Sequence, residues 1–447
     1  MQKEMKAIHI VGAGLAGSEA ALQLAEKGYS VFLYEMRRQQ LTPAHKTEKC
    51  AELVCSNSFG SMTDYSAPGQ LKWEAEKLGS NILAAAKEAY IPAGMALGVD
   101  REIFSQIIHT KVSEHPKITL VDQIVESLDQ IPRPAIIATG PLTHENLAKS
   151  IAEHFEKPDF LYFFDAIAPI IDTDSINTEI AWKASRWGKG SDDYYNCPLN
   201  KEEYYRLIEE MEKARKIEAK DFEKLTPYFE SCMPIEEMIR RGKETPRFGP
   251  MSPKGLDDPR TGRWPYAVVQ LRQDNKEGTA FNMVGFQTKM AYGEQKRIFR
   301  MIPGLEDAEF LKLGSIHRNM YLDSPRLLNE DLSSPKDPYL YFAGQITGVE
   351  GYFDSTCMGM LTAKFLDDKL KDRGFQPPPR ASAMGSLLNA ITKEEKENFQ
   401  PTNINFGLFP NLTEEHYQGR KKIPKKEKKE IQLHLAKEAF AKWLTTI

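Results

Sequence analysis

Three glycines and two cysteines carry the chemistry most legible in this chain. Gly12, Gly14 and Gly17 directly follow the apolar run Ile8-His-Ile-Val11, with Leu15 and Ala16 between the last two glycines. That spacing lets a strand turn tightly into a helix and brings backbone N–H groups against a pyrophosphate at the helix's positive end. The next strand, read as Tyr29 to Tyr34, ends at Glu35, where a carboxylate accepts hydrogen bonds from ribose hydroxyls. The acid favours an adenosine ribose over a 2′-phosphate and leaves FAD and NAD both open. Cys55, in Ala51-Glu-Leu-Val-Cys-Ser-Asn-Ser58, and Cys232, in Phe229-Glu-Ser-Cys-Met-Pro-Ile-Glu236, lie among polar residues suited to a site mouth. A thiol becomes a nucleophile where an electropositive setting favours thiolate, although a single cysteine is more often a small buried hydrophobe. Cys50, Cys197 and Cys357 make a weaker case for reactivity.

The elements that must position these groups follow from changes of sequence period. The first 140 residues alternate strands and helices, with a helix expected over 18–26, and close with Ala135-Ile-Ile-Ala-Thr-Gly140. That apolar strand ends in Thr-Gly, which makes Gly140 a candidate nucleotide contact. A different texture begins near Phe164. Trp182 to Asn196 is aromatic, glycine-rich and charged, and Tyr204, Leu207, Ile208, Met211 and Ala214 mark one face of an amphipathic helix. From Tyr266 the strand pattern resumes in Ala267–Leu271 and Met283–Phe286, then in Tyr339-Leu-Tyr-Phe-Ala-Gly344. Gly344, Gln345 and Gly348 stand in a second glycine turn ahead of a helix expected over 355–370, a place for backbone amides to meet a flavin ribityl chain or pyrophosphate. Two such turns separated by an insertion suit FAD extended across one domain better than a detachable NAD. The expected architecture is α/β: a Rossmann-like FAD-binding domain (residues 1–160 and 265–375), an inserted α+β domain (161–264) and a mostly helical C-terminal segment (376–447).

Composition sets the outer limits. A chain of 447 residues, 41% hydrophobic, can bury more than one core. No span approaches the roughly 20 apolar residues that cross a bilayer, and no signal-like lead precedes the first strand, so a soluble cytoplasmic protein is expected. Five cysteines without C-x-x-C spacing indicate neither a disulfide framework nor a metal site. A net charge of −4 argues against a nucleic-acid partner on average, but averages hide local fields. Between Arg420 and Lys429 seven residues are Arg or Lys and only Glu427 is acidic, which makes Lys421 and Lys422 candidates for phosphate contact; the competing reading is a solvated helix end. Arg186, Trp187 and Lys189 form a second candidate set, cations for phosphate beside a ring for base stacking, against which aromatic core packing competes.

Together these motifs resemble the folate- and FAD-dependent uracil-5 methyltransferases of tRNA. The resemblance is carried by Gly12-Ala-Gly-Leu-Ala-Gly-Ser-Glu19, Leu53-Val-Cys-Ser-Asn-Ser58, Ile137-Ala-Thr-Gly140, Tyr195-Asn-Cys-Pro198 and Cys232-Met-Pro-Ile-Glu236. Tyr266-Ala-Val-Val-Gln-Leu-Arg-Gln-Asp-Asn275, Val284-Gly-Phe-Gln-Thr288, Lys296-Arg-Ile-Phe-Arg-Met-Ile-Pro-Gly304, His317-Arg-Asn319 and Gly344-Gln-Ile-Thr-Gly-Val-Glu-Gly-Tyr352 extend it over most of the chain. It implies a one-carbon transfer from 5,10-methylenetetrahydrofolate to carbon 5 of a T-loop uridine, with reduction to methyl through reduced FAD and NAD(P)H as the electron source. It further implies that Cys232 adds to uracil carbon 6 and that Cys55 removes the carbon 5 proton or couples to the flavin, roles that can be exchanged. His317 is then a candidate for stacking on the pterin, and Arg297 and Arg300 for a phosphate or the folate glutamate. A ribosomal RNA uridine, or a flavin-bearing RNA-binding module without turnover, are the alternatives. Two departures stand out: Phe59-Gly60 where a leucine and an arginine are common in this family, and Phe353-Asp354 where Val-Glu is usual.

Overall fold

A computed structural model describes residues 7–42, 44–156, 161–166, 168–188, 192–217, 233–393, 399–417, 420 and 423–446. Its first layer is a five-stranded sheet in the order 340–342, 135–137, 8–11, 31–35, 118–122, and every neighbouring pair is parallel. The strand Ile8–Val11 is buried along its whole length because helices cover both faces of such a sheet. The helix Leu15–Glu26 begins directly after the glycine turn and is buried over nearly all its length, so it lies between the sheet and a second layer. That layer is led by the helix Tyr352–Leu370, which also starts at a glycine, Gly351.

The two helices approach so closely that backbone meets backbone. A Cβ added at Gly359 would fall on the main chain of Ala16, and one added at Gly17 would strike the carbonyl oxygen of Gly12. Gly344 is under the same constraint, since its Cβ would lie 2.6 Å from that of Ala16.

A six-stranded antiparallel sheet forms the second body, in the order 182–183, 194–199, 267–273, 280–283, 170–172, 310–312. Its core draws on residues between Ile171 and Ala308. The expected helix face is present: Asn200 and Glu203 close a capping box at the start of Lys201–Lys213, and Tyr204, Leu207, Ile208 and Met211 are buried.

Here the structure corrects the sequence reading. The strands after Tyr266 do not return to the nucleotide-binding sheet. They are central in the second sheet, and the chain comes back only at Ile316–Tyr321, which pairs antiparallel with the outgoing strand Leu161–Ala166. The period-2 pattern of 267–283 marks a strand but says nothing about which sheet it joins. The strand expected over 283–286 is shifted, running Ala280–Met283, and ends before Gly285, whose φ of +75° breaks the extended run.

The C-terminal segment packs back on the first body. Glu74, fully buried, accepts the amides of Ala383 (2.7 Å) and Met384 (2.8 Å) at the start of the helix Ala383–Thr392. The long helix Lys425–Leu444 adds Phe440 and Trp443, with Phe440 edge-on to Trp73.

The Ala16–Gly359 contact leaves no space for a methyl group. Gly359→Ala is expected to cost about 1–3 kcal/mol through overpacking, read as a lowered thermal midpoint. An unchanged midpoint would show that the two helices separate without cost.

Candidate functional site

Gly12 and Gly14 of the glycine turn, Glu35, Gly140 and the Gly344–Gln345 turn all line one cleft. Gly14 is the N-cap of the helix Leu15–Glu26 and offers no side chain to its first-turn amides, which therefore remain available to a ligand at the mouth. A Cβ at Gly14 would meet no protein atom within 4 Å, whereas Gly12 and Gly17 are hemmed in by backbone. Gly14 thus keeps open space that belongs to a ligand, and its two companions serve the fold. Leu15 and Ala16 line the cleft as well, but Gly17 does not.

Glu35 is buried at the end of its strand. Its Oε2 accepts from the Ala13 amide (3.0 Å) and from the Arg37 guanidinium (2.8 Å), and Oε1 accepts from the Arg37 amide (3.0 Å). Burial raises the carboxyl, yet Arg37 and the amides outweigh it and hold it below the usual carboxylate range. Glu35 stays ionised, and Oε1 keeps acceptor capacity for a ribose hydroxyl. Arg37 was not singled out in the sequence; an arginine two residues after the acid was the available signal. FAD fits this cleft by its chemistry: an uncapped helix end for the pyrophosphate, a fixed carboxylate for the ribose, and the apolar Val11, Leu142 and Leu147 along the wall.

Gly348, expected to contact the cofactor, does not line the cleft. It adopts φ +81° at the end of its turn, and the space a Cβ would take is filled by Phe399. Gln345 lines the cleft and donates to Glu350 at 2.6 Å.

Tyr352 lines both this cleft and a second cavity of about 350 Å³, in which Cys55 stands. The loop carrying Cys55 is fastened from three sides. The Tyr352 hydroxyl accepts from the amides of Cys55 (2.7 Å) and Ser56 (3.1 Å). Arg101 donates to the carbonyls of Leu53 (3.1 Å) and Cys55 (3.2 Å), and Lys312 donates to the carbonyl of Val54 (3.0 Å). Arg101 also pairs with Asp274 at 2.9 Å. Burial, with Arg101 and Lys46 adding repulsion, pushes Lys312 down to about 8. Two cations, Arg101 and Lys312, thus hold the Cys55 loop, both supplied by residues distant in sequence. Cys50, Cys197 and Cys357 are buried, and burial pushes each thiol upward, Cys50 to about 12. Cys232 lies outside the described residues, as do Lys189, Lys421 and Lys422.

Both sequence departures border the second cavity. Phe59 is buried against Phe104, Tyr352 and Phe353, and Gly60 takes φ +78°. Lys72 reaches the same strand, Ser58–Ser61, donating to the Ser61 carbonyl at 3.0 Å, with its ammonium 5.0 Å from the centre of the Phe353 ring. Asp354 is buried and accepts the Ile404 amide at 2.7 Å; burial pushes its carboxyl up to about 6.

The other candidates disperse. His317 sits in the connecting ribbon, its backbone opposite Asp165. Arg297 pairs with Glu210 and Glu294, and Arg300 donates to the Ala308 carbonyl, so both serve the second body rather than a phosphate or a folate. Arg186 is committed to Gln270 (2.9 Å) and the Lys254 carbonyl (2.8 Å). Its neighbour Trp187 is 62% exposed and meets Trp264 edge-on, leaving an open aromatic surface. Arg420 is tied to Glu427 by two contacts, which reduces the free charge of the basic run.

Comparison with known proteins places this geometry. A profile of the family described as glucose inhibited division protein A matches residues 7–374. A protein of Bdellovibrio bacteriovorus named methylenetetrahydrofolate–tRNA-(uracil-5-)-methyltransferase is 68% identical over 98% of both chains. Proteins of the same name from Zymomonas mobilis and Aquifex aeolicus are 52% and 49% identical, over 99% and 97% of this chain and 97% and 96% of theirs. Among solved structures, the GidA protein of Aquifex aeolicus superposes on the whole chain with a TM-score of 0.68 at 14% identity, covering 76% of its own length, a likeness of fold.

The open space at Gly14 yields a clean test of the cleft. Gly14→Val is expected to fold with a near wild-type thermal midpoint yet to be purified without flavin, whereas Gly17→Val is expected not to fold. A yellow Gly14→Val protein would show that the pyrophosphate lies elsewhere.

Proposed function

From membership of the methylenetetrahydrofolate–tRNA-(uracil-5-)-methyltransferase family, to which this chain belongs, we propose the following account of its site. The enzyme transfers a one-carbon unit from 5,10-methylenetetrahydrofolate to carbon 5 of a tRNA T-loop uridine, forming 5-methyluridine, with NAD(P)H as reductant. The observation that supports this reading best is the position of Cys55, held by Tyr352 where the nucleotide cleft meets a second cavity. A thiol there is in reach of both a flavin-side reactant and a base admitted from the other side.

Bound in the cleft, FAD supplies the redox equivalents that take the one-carbon unit to the methyl level. The chain's own residues do the rest. Gly14 and the first-turn amides of its helix hold the pyrophosphate, Glu35 the ribose, and the Gly344–Gln345 turn the other end of the cofactor. Cys232 acts as the nucleophile toward uracil carbon 6, since carbon 5 reacts only once that addition has made it electron-rich. Cys55 accepts the carbon 5 proton. Arg101 and Lys312 fix the Cys55 loop through its carbonyls, so the thiol is positioned before substrate arrives. His317 is the stacking partner for the pterin. The exposed Trp187 and the basic run around Lys421 and Lys422 receive the RNA, with Arg186 supporting the Trp187 loop. An RNA substrate of this kind places the enzyme in the cytoplasm, and no helix among the described residues is long and apolar enough to cross a membrane.

Carbon-labelled methylenetetrahydrofolate with unmodified tRNA is expected to label the T-loop uridine; label on ribosomal fragments instead would favour the ribosomal reading, and no label would favour a binding module. With 5-fluorouridine RNA, Cys232→Ala is expected to lose the covalent adduct. Cys55→Ala is expected to form it but to turn over at least roughly 10³-fold more slowly. The opposite pattern exchanges the two roles, and a wild-type enzyme without any adduct removes the thiol mechanism.

A further inference from the structure

The cavity beside Cys55 holds two polar side chains that the protein itself does not use. Arg272 and Asn282 stand directly opposite each other in the antiparallel pair of Ala267–Gln273 and Ala280–Met283. Opposed residues project from the same face of a sheet, with Cβ atoms about 4.5–5.5 Å apart. Both line the cavity. Asn282 is 5% exposed, and among the described residues its carboxamide has no hydrogen-bond partner. The Nε of Arg272 is buried and equally unpartnered. The carboxylate best placed to answer Arg272, that of Asp274, is already taken by Arg101. Gln270 and Asn196 of this sheet are satisfied, Gln270 donating to Asn196 at 2.9 Å and Asn196 to three carbonyls, while the unpartnered Trp182 indole nitrogen does not line the cavity. Arg272 and Asn282 are set apart from these groups by facing the cavity. A buried donor left unpaired is destabilising, more so when charged, and a ligand in the cavity would recover that loss.

The two side chains define that ligand's edge. A guanidinium offers donors only, whereas a carboxamide presents a donor and an acceptor side by side. A cyclic imide, with N–H flanked by carbonyl oxygens, is complementary to both. We propose that Arg272 and Asn282 form the recognition site for the imide edge of the uracil to be methylated, an inference that rests on the methyl-transfer reading above. Asn282 Oδ1 accepts from N3–H and Nδ2 donates to the C4 oxygen. Arg272 donates to the remaining lone pair of that oxygen. When the thiolate adds, the S–C6 bond forms and the C5=C6 electron pair shifts toward C5 and the C4 oxygen, where the Arg272 charge meets it. The pair therefore serves both choice of base and reactivity. The pterin of the folate carries a similar lactam edge, but the uracil is the better occupant because the pair shares its cavity with Cys55.

The test uses the full-length, flavin-loaded enzyme and varies RNA and folate separately. Asn282→Asp removes the donor to the C4 oxygen at nearly constant volume, and Arg272→Gln removes the charge. Each is expected to lower kcat/KM for tRNA about 10²-fold or more, with KM for methylenetetrahydrofolate within twofold of wild type. Arg272→Lys, which restores the charge without the planar fork, is expected to recover part of the loss. A tRNA with cytidine at the target gives the specificity readout: its 4-amino group suits an acceptor, so Asn282→Asp is expected to narrow the uridine-to-cytidine preference. Flavin content at the wild-type level certifies the fold of each variant, and Asn282→Ser replaces Asn282→Asp if the latter loses flavin. Wild-type kcat/KM for tRNA in both variants would overturn the inference, as would a loss that appears only as raised KM for folate. A wild-type enzyme that fails to methylate uridine would overturn the methyl-transfer reading instead.

Discussion

The main-chain contact between the helices Leu15–Glu26 and Tyr352–Leu370 is the constraint on which the remaining architecture depends. Gly359 lets the second helix lie on the backbone of Ala16, and Gly17 lets the first turn fold onto Gly12. Two helix starts far apart in sequence are thereby brought to one cleft, each begun by a glycine that provides no side-chain cap. A bulkier residue at the crossing would part the helices and separate the groups that face the pyrophosphate from those that face the other end of the cofactor.

From that crossing the second cavity follows. Tyr352 is the first residue of its helix, so fixing the helix also fixes the hydroxyl that holds the amides of Cys55 and Ser56. Three successive carbonyls, those of Leu53, Val54 and Cys55, are bound by cations from the Arg101–Ser113 helix and from the strand Phe310–Lys312. The thiol loop has almost no regular structure of its own, and its order is imposed by its neighbours. The price is the burial of Lys312, lowered to about 8, offset by Asp274 and the carbonyl dipoles.

The C-terminal segment belongs to the site as much as to the fold. Thr402 bridges to Val349, Ile404 donates to Asp354, and Asn403 and Ile404 line the cavity. Glu74 holds the helix that leads into this segment, its carboxyl pushed up to about 7 by burial although three donors favour the charged form. Lys72, on the same helix as Glu74, reaches the strand Ser58–Ser61 and donates to the Ser61 carbonyl.

The sequence by itself determined what is local. Glycine spacing after an apolar run specified the nucleotide turn, because only glycine tolerates φ of +99° at Gly12 and the close approach at Gly17. Periodicity specified the helix over Lys201–Lys213 and its buried face, because helical side chains three and four apart share a side. Resemblance added the reaction and pointed to both thiols. Tertiary structure alone decided what depends on distant partners. It set the sheet that Ala267–Gln273 joins, since a strand's alternation does not encode its neighbour, and it committed Arg186, Arg297 and Arg300 to internal contacts. Asn282 carries no sequence signal that sets it apart, Arg37 only its place two residues after the acid, and Tyr352 and Arg272 only their places within matched motifs. Their roles arise where two elements far apart in the chain meet, and hydrogen-bond geometry at such meetings is fixed by packing rather than by residue order.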